Sequence, residues 1–335
     1  MKANSNSKIA GFTLVELMVS MVIAVLVMGM AMSIYSSMKK QYVKISDRNK
    51  LNSKQLIVKQ IFYNAIGNSG FGSMYGDVYQ IKIDETGDNL GDLFGKTDVL
   101  SMGKSPILNI NALPEGMKLD KAACYDKVAL DDNSGIKSPI HCIKPGTDYL
   151  LIQRASISST LKTNSSNNIF KVNDFQKDVR ADKDLRSNDY VVLCNAFECD
   201  LMKVIAVLGD FVSTTKRVEE KFKEDDYIGK YILEIFYVAD TNRIDKSGDP
   251  VYSLYEYVRQ NSGEEMSYEL ADNVSDLQIE YYAPGHESSS DDKVDDWVAA
   301  AKDIVSLKQI QSKALKISFK ISGDEFSKIY LNDNA

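Results

Sequence analysis

Histidine and tryptophan are almost absent from the 335-residue sequence, which has two histidines and one tryptophan. His141 and His286 stand in no H-E-x-x-H motif, and no G-x-S-x-G motif offers a nucleophilic serine. Residues 91–98 (GDLFGKTD) have one residue too few for a phosphate-binding loop. Since these common catalytic and nucleotide-binding motifs are missing, we expect neither an enzyme nor a bound cofactor.

Proline and glycine are also scarce, at six and nineteen residues, whereas hydrophobic residues make up 44% of the chain. This composition excludes a collagen-like, low-complexity or mostly disordered chain and can supply a sizeable core. The 40 basic residues are outnumbered by 47 acidic ones, which gives a net charge of −7. Because nucleic-acid binding depends on neutralising phosphates, we expect no nucleic-acid partner.

Charge is missing altogether from residues 17–38 (LMVSMVIAVLVMGMAMSIYSSM). As an α-helix this segment would span about 33 Å, which is enough to cross the hydrocarbon core of a bilayer once. No later segment is as long and as free of charge. The sequence therefore predicts a single membrane helix that carries a water-exposed body.

A short polar leader precedes the membrane segment. Residues 1–11 (MKANSNSKIAG) contain Lys2 and Lys8 and no acid, and FTLVELMVSMVIAV follows. This combination resembles the class III signal of type IV prepilins and type II secretion pseudopilins. The resemblance implies that the prepilin peptidase cleaves between Gly11 and Phe12 and that the new N-terminus, on Phe12, is methylated. Removing 11 of 335 residues would leave 324, and losing two lysines would change the net charge from −7 to −9.

Glu16 is the only side chain between Lys8 and Lys39 that is charged at neutral pH. A charge at the centre of a membrane helix costs about 2.5–3.5 kcal/mol on insertion scales and less near the interface, so it usually has a partner. The resemblance to prepilins implies that this partner is the N-terminal amine of a neighbouring subunit, which sets subunit registration during filament assembly. The alternative is that Glu16 lies close enough to the headgroups to stay hydrated.

Two other interpretations of the N-terminal segment compete with the prepilin one. Ala31, Met32 and Ser33 would serve as the cleavage site of an ordinary secretory signal, although the apolar run exceeds the usual length of about 7–15 residues. Residues 39–60 contain seven cations and one acid, Asp47, and the positive-inside rule alone would place the body in the cytoplasm. We give precedence to the leader motif and to the cysteines, which favour a body outside the inner membrane.

The sequence divides into a leader (1–11), a transmembrane helix (12–38), a continuation of that helix (39–66) and a globular body (67–335). No proline interrupts residues 36–66, so we expect one helix of roughly 80 Å that ends at the glycine-rich residues 67–77. Its last turns, 56–66, should pack against the body. Met38, Tyr42, Ile45, Leu56 and Tyr63 share one face, and Ile57, Val58, Ile61 and Phe62 widen the apolar surface in the last turns. We expect the charged middle of the helix to be a solvated or filament-contacting surface.

Beyond residue 77, β-branched and aromatic runs alternate with polar turns, which is typical of antiparallel β structure. Apolar residues at helical spacing also predict a helix over residues 295–311. The expected fold class is therefore α+β, with a long N-terminal transmembrane and amphipathic helix followed by a mainly antiparallel β domain. Strands are predicted at residues 148–158, 189–197, 201–212, 230–240, 251–260, 277–283 and 314–321.

The order of these segments resembles PilW-type minor pilins over most of the chain. The segments PGTDYLLIQRAS, SNDYVVLCNAFECDLMKVIAV, FYVADTNRIDKSGDPVYSLYEYV and ELADNVSDLQIEYYAPG follow one another in that order. The chain departs from the group where a strand usually ends in Asp-Cys, since Leu193 precedes Cys194 and Asn195 follows it. It departs again at residues 69–73 (SGFGS), where the group often has a cysteine, so the disulfide map of the group does not transfer.

Four cysteines, Cys124, Cys142, Cys194 and Cys199, allow three pairings. Proximity in sequence favours Cys124 with Cys142 and Cys194 with Cys199. An even number of cysteines after a membrane helix suits an oxidising compartment such as the periplasm. Zinc is the weaker alternative, because neither pair has C-x-x-C spacing and His141 adjoins Cys142.

Acidic residues recur in four loops, and carboxylate oxygens are the ligands that calcium requires. None of the loops matches the EF-hand pattern, so we expect solvated turns, with calcium as the alternative. The acidic residues are Asp84, Glu85, Asp88, Asp92, Asp131, Asp132, Asp240, Asp245, Asp249, Asp291, Asp292, Asp295 and Asp296.

The resemblance implies a type IV minor pilin of the PilW class, which takes part in the initiation or tip complex of a pilus. Its implied partners are the prepilin peptidase, the inner membrane, and other minor pilins and the major pilin, which it contacts through the N-terminal helix. The implied location is a single pass of the inner membrane with a periplasmic body, then the pilus. The alternatives are a GspJ-like type II secretion pseudopilin, a membrane-tethered adhesin or binding module, and a tethered enzyme.

Overall fold

The structure is a computed structural model that divides into two compact units, Met1–Lys54 and Gln55–Ala335. The predictions for Gly11, Phe12, Cys124 and the two histidines lie outside the residues that it describes. The described residues are 13–71, 81–88, 90, 99–105, 142–165, 167–174, 185–215, 221–262, 265–283, 296–301, 304–307 and 312–331.

Within these residues, one long helix precedes a body made of strands, as the predicted α+β class requires. The helix, α1, is Leu14–Gly67. The strands are β1 (Ile81–Glu85), β2 (Leu100–Lys104), β3 (Asp148–Thr160), β4 (Ile169–Lys171), β5 (Tyr190–Cys194), β6 (Cys199–Leu208), β7 (Phe211–Thr214), β8 (Tyr227–Ile244), β9 (Pro250–Arg259), β10 (Glu265–Asp272), β11 (Val274–Tyr282), β12 (Trp297–Ala299), β13 (Val305–Ser306), β14 (Ala314–Ile321) and β15 (Asp324–Leu331).

The helix has 54 residues and continues past the uncharged run without a break, in agreement with the lack of proline. It ends at Gly67, where the glycine-rich segment begins. Gly70 follows with a φ of 103°, a conformation that residues with a Cβ rarely adopt. The residue types at this point therefore explain why the helix stops.

The larger sheet has eleven strands, and β8 lies near its centre. One edge of β8 pairs with β3, while the other pairs first with β5 and then with β9. All of these pairings are antiparallel, and β1 adds to β6 in parallel. Tyr227–Ala239 of β8 is buried residue after residue rather than in alternation, which is the pattern of a strand covered on both faces.

The smaller sheet has four antiparallel strands in the order β12, β11, β14, β15. In β14 the apolar residues Leu315, Ile317, Phe319 and Ile321 are buried, whereas the residues between them are half-buried. This alternation is the one that the sequence predicts for a strand with one buried face. Trp297 of β12 packs edge-on against Tyr282 of β11, with ring centroids 5.5 Å apart.

The last turns of α1, which belong to the second unit, pack on the body through one face. Val58, Phe62, Ala65 and Ile66 are buried, at the i, i+4, i+7, i+8 spacing of a helix face. The Phe62 ring lies 5.3 Å from the Phe236 ring. The prediction that these turns pack is confirmed, but its choice of side chains was partly wrong. Leu56, Ile57 and Tyr63 are more than half exposed because they lie off this face.

Two further predictions were wrong in detail. Residues 295–311 do not form the predicted helix in their described part, where β12 pairs with β11 and β13 pairs with β2. Residues 201–212 are not one strand either, because a turn at Gly209 (φ 59°) and Asp210 separates β6 from β7. In both regions the strands are defined by backbone pairing with other strands. The spacing of apolar residues does not reveal such pairing.

A buried carboxylate, Asp148, joins the two sheets. Its Oδ2 accepts a hydrogen bond of 2.7 Å from the amide of Ile279 in β11. Burial raises the pKa of Asp148 from 3.8 to about 6, although the hydrogen bond from Ile279 and the charge of Lys104 oppose the shift. The folded state therefore binds this proton more tightly than the unfolded state does, and ionising Asp148 costs stability as the pH rises from about 4 to about 6.

Replacing Asp148 by asparagine keeps an oxygen acceptor for Ile279 and removes the charge. We expect the unfolding free energy of D148N minus that of the native protein to rise between pH 4 and pH 6 and to stay level above pH 7. Chemical unfolding of the full chain in detergent micelles, followed by Trp297 fluorescence, measures this difference. D324N, at an exposed position of β15, is the control and should show no such rise. A difference that does not vary with pH would contradict this account.

Candidate assembly site in the N-terminal helix

The carboxylate of Glu16 closes the first turn of α1. The backbone amide and the hydroxyl of Thr13 each donate a hydrogen bond of 3.0 Å to Glu16 Oε2. In return, the amide of Glu16 donates to the Thr13 hydroxyl oxygen at 3.4 Å. This reciprocal arrangement is a capping box, with Thr13 at the N-cap and Glu16 three residues later.

Thr13 is therefore a structural partner of Glu16 that the sequence-based predictions did not name, although its sequence pattern was present. The sequence Thr13-Leu-Val-Glu16 fits the T-x-x-E pattern that precedes an apolar helix. The capping box gives Glu16 a role in its own helix in addition to any role between subunits. Both hydrogen bonds from Thr13 end on Oε2, so Oε1 can accept a further donor.

The apolar part of α1 is exposed among the residues that the structure describes. Its uncharged residues are all exposed, and α1 is the one described helix that is long and apolar enough to cross a membrane. The Ser20 hydroxyl is occupied locally, because it donates to the Glu16 carbonyl oxygen at 2.8 Å. A shallow groove on this segment is lined by Ser20, Ile23, Ala24, Val27, Met28 and Ala31.

Small residues such as Ser20, Ala24 and Ala31 allow close approach of a second helix inside a membrane, where van der Waals packing drives association. The helix thus presents two features to its surroundings. One is the Glu16 carboxylate, directly before the uncharged run begins, and the other is an apolar surface that lipids or neighbouring helices must cover.

The body contains the disulfide Cys194–Cys199, one of the two pairs that proximity favours. Cys194 ends β5 and Cys199 begins β6, directly opposite in the antiparallel pair, with Cα atoms 4.1 Å apart. The turn between them is held by Asn195, whose Oδ1 accepts hydrogen bonds from the amides of Phe197 and Glu198. Cys142 is buried and is also disulfide-bonded.

The described acidic residues accept hydrogen bonds from different kinds of donor. Asp88 accepts a hydrogen bond from the Tyr190 hydroxyl, and Asp245 accepts from the amides of Ser247 and Asp249 within its own turn. In the part of the chain that the structure describes, no group of three or more histidine, cysteine, aspartate or glutamate residues could hold a metal ion. The structure does not describe Asp92, Asp131, Asp132, Asp291, Asp292 and Asp295, and calcium binding stays a prediction.

Fold and site together define a membrane-anchored protein with one N-terminal apolar helix and a mostly antiparallel β body. Residues 6–32 match the family model described as the prokaryotic N-terminal methylation motif, and this segment includes Gly11, Phe12 and Glu16. The match indicates a type IV pilin-like or pseudopilin-like substrate of prepilin peptidase. Neither a search of curated proteins nor a search of solved structures finds a match to the chain.

Proposed function

We propose that the chain is a minor pilin of the PilW class, cleaved between Gly11 and Phe12, which acts in the initiation or tip complex of a type IV pilus. Its role is mechanical rather than catalytic. The observation that carries the proposal is the methylation motif with Glu16 at the fifth position of the mature chain. The body would lie in the periplasm before assembly and in the pilus afterwards.

The geometry of the first turn supports this role. After cleavage, the new amine on Phe12 would directly precede Thr13, which caps the helix. Glu16 keeps Oε1 for a donor from outside its own helix while Oε2 holds Thr13. A neighbouring subunit's N-terminal amine is a suitable donor, because a positive charge offsets the cost of a carboxylate in an apolar segment.

The body favours a pilus subunit over a secretion pseudopilin. The chain has 335 residues, and its larger sheet alone has eleven strands. A body with this many strands and connecting loops supplies the surface that a complex of several minor pilins would need. The apolar groove around Ala24 supplies a surface for other minor pilins and for the major pilin within the membrane.

Deleting the gene tests the proposal. We expect surface pili, and with them twitching motility and pilus-dependent adhesion, to fall by at least tenfold while the major pilin remains in the membrane. Complementation with the native gene should restore piliation. Normal piliation combined with failed protein export would instead assign the chain to type II secretion. Normal piliation combined with lost surface binding would favour a tethered adhesin.

A further inference from the structure

A group of exposed lysines follows the uncharged run of α1 directly. The run ends at Met38, and Lys39, Lys40 and Lys44 come in the next two turns with exposed side chains. No acidic residue occurs between Glu16 and Asp47. The helix therefore places concentrated positive charge at the point where it leaves the apolar region.

The membrane boundary at Met38 has independent support from two tyrosines. Tyr35 and Tyr42 lie about one turn on either side of Met38, and their side chains are 70% and 74% exposed. Tyrosine is enriched where a membrane helix meets the headgroups, because its ring is apolar and its hydroxyl is polar. The aromatic and cationic residues thus indicate the same level for the bilayer surface.

The depth of each lysine follows from the rise of the helix, about 1.5 Å per residue. The Cα atoms of Lys40 and Lys44, here called the proximal pair, lie about 3 and 9 Å beyond Met38. One headgroup layer is about 5–8 Å thick. Because helical side chains tilt towards the N-terminus, the two ammonium groups reach back towards the membrane. Both therefore lie at headgroup depth.

A second lysine pair has the same spacing at a different depth. Lys50 and Lys54, here called the distal pair, begin about 18 Å beyond Met38. Their Cα atoms lie about 10 Å or more beyond the headgroup layer, whereas those of the proximal pair lie within it or beside it. The distal pair serves as a control for spacing and charge, since both pairs are lysines four residues apart on one helix, and Lys54 differs in being half-buried.

Repulsion within the proximal pair favours an anion between its members. Residues four apart on a helix have Cβ atoms about 5–6 Å apart, and like charges at this spacing oppose helix formation. We infer that Lys39, Lys40 and Lys44 form a binding site for the phosphate headgroups of anionic phospholipids. The site requires only a membrane helix that ends near Met38, so it does not depend on filament assembly.

Lipid retention by the full chain tests this inference. The protein is incubated in micelles with equal amounts of phosphatidylglycerol and phosphatidylcholine, and native mass spectrometry counts the lipids that stay bound. We expect several-fold enrichment of phosphatidylglycerol on the native protein. K40Q/K44Q should reduce this enrichment by about tenfold, because each lysine near the surface contributes strongly to anionic-lipid affinity. K50Q/K54Q should leave it within twofold.

A competition experiment distinguishes binding of the lipid from binding of free phosphate, since both carry the anionic phosphate group that the lysines would bind. Excess inorganic phosphate should not displace phosphatidylglycerol, since the membrane segment holds the lipid next to the lysines. Equal losses in the two double variants, or a loss confined to K50Q/K54Q, would overturn the inference and point to an acidic protein surface as the partner. Equal binding of the two lipids by the native protein would also overturn it.

Discussion

Substituting Glu16 by glutamine is expected to lower the amount of the chain in sheared filaments by tenfold or more, with cleavage and membrane insertion unchanged. Glutamine at the third helical position still serves a capping box, so E16Q removes the charge and keeps the local structure. In the proposed filament the Glu16 carboxylate pairs with the N-terminal amine of a neighbouring subunit, and E16Q removes that pairing while the apolar surface of the helix is unchanged. Immunoblots of filament and membrane fractions measure the distribution.

T13A is the matched control for E16Q, because it weakens the cap and keeps the charge. Loss of an N-cap side chain costs about 1 kcal/mol of helix stability, confined to the first turn. We expect T13A to change incorporation by no more than about twofold. If T13A reduces incorporation as much as E16Q does, incorporation depends on the order of the first turn as much as on the Glu16 charge, which contradicts a role in registration by charge alone.

Substituting Phe62 by alanine is expected to lower the unfolding free energy of the body by about 3–5 kcal/mol. The Phe62 side chain is fully buried, with its ring 5.3 Å from that of Phe236 and 6.4 Å from that of Tyr330. The Tyr330 hydroxyl also donates to the Lys59 carbonyl oxygen at 3.1 Å, so the same contact fixes the helix to β15. Chemical unfolding of the full chain in micelles, followed by Trp297 fluorescence, gives the change.

L56A is the control for F62A, since Leu56 lies in the same helical turns but is 66% exposed. Exposed positions of this kind usually change the unfolding free energy by no more than about 0.5 kcal/mol. Equal effects of F62A and L56A would mean that the last turns of α1 do not depend on the Phe62 face for their attachment.

The elements that the sequence predicts correctly are those whose pattern is local. The long helix follows from an uncharged run without proline, and β14 follows from strict alternation at Leu315, Ile317, Phe319 and Ile321. The Cys194–Cys199 disulfide follows from a short separation between two strands. Each of these features depends on residues that are close in sequence.

The elements that the sequence did not predict form because their backbones pair with other strands. The short strand β12 exists because its backbone pairs with β11, and β13 because it pairs with β2, about two hundred residues earlier in the chain. The strands β10 and β15 each lie at the edge of a sheet and are mostly exposed or half-buried. Their sequences therefore mix charged and apolar residues and do not show a clear strand pattern. The T-x-x-E pattern predicts the capping role of Thr13. It was not used because the resemblance to prepilins already assigned Glu16 to subunit registration.

The mass of the N-terminal peptide tests the central claim most directly. The protein is taken from membranes and from sheared filaments, and the peptide is identified by mass spectrometry. The account predicts a chain that begins at Phe12 with one methyl group on its amine, in both fractions. An intact Met1, or a terminus near Ser33, would contradict the claim that the chain is a processed pilin-like subunit.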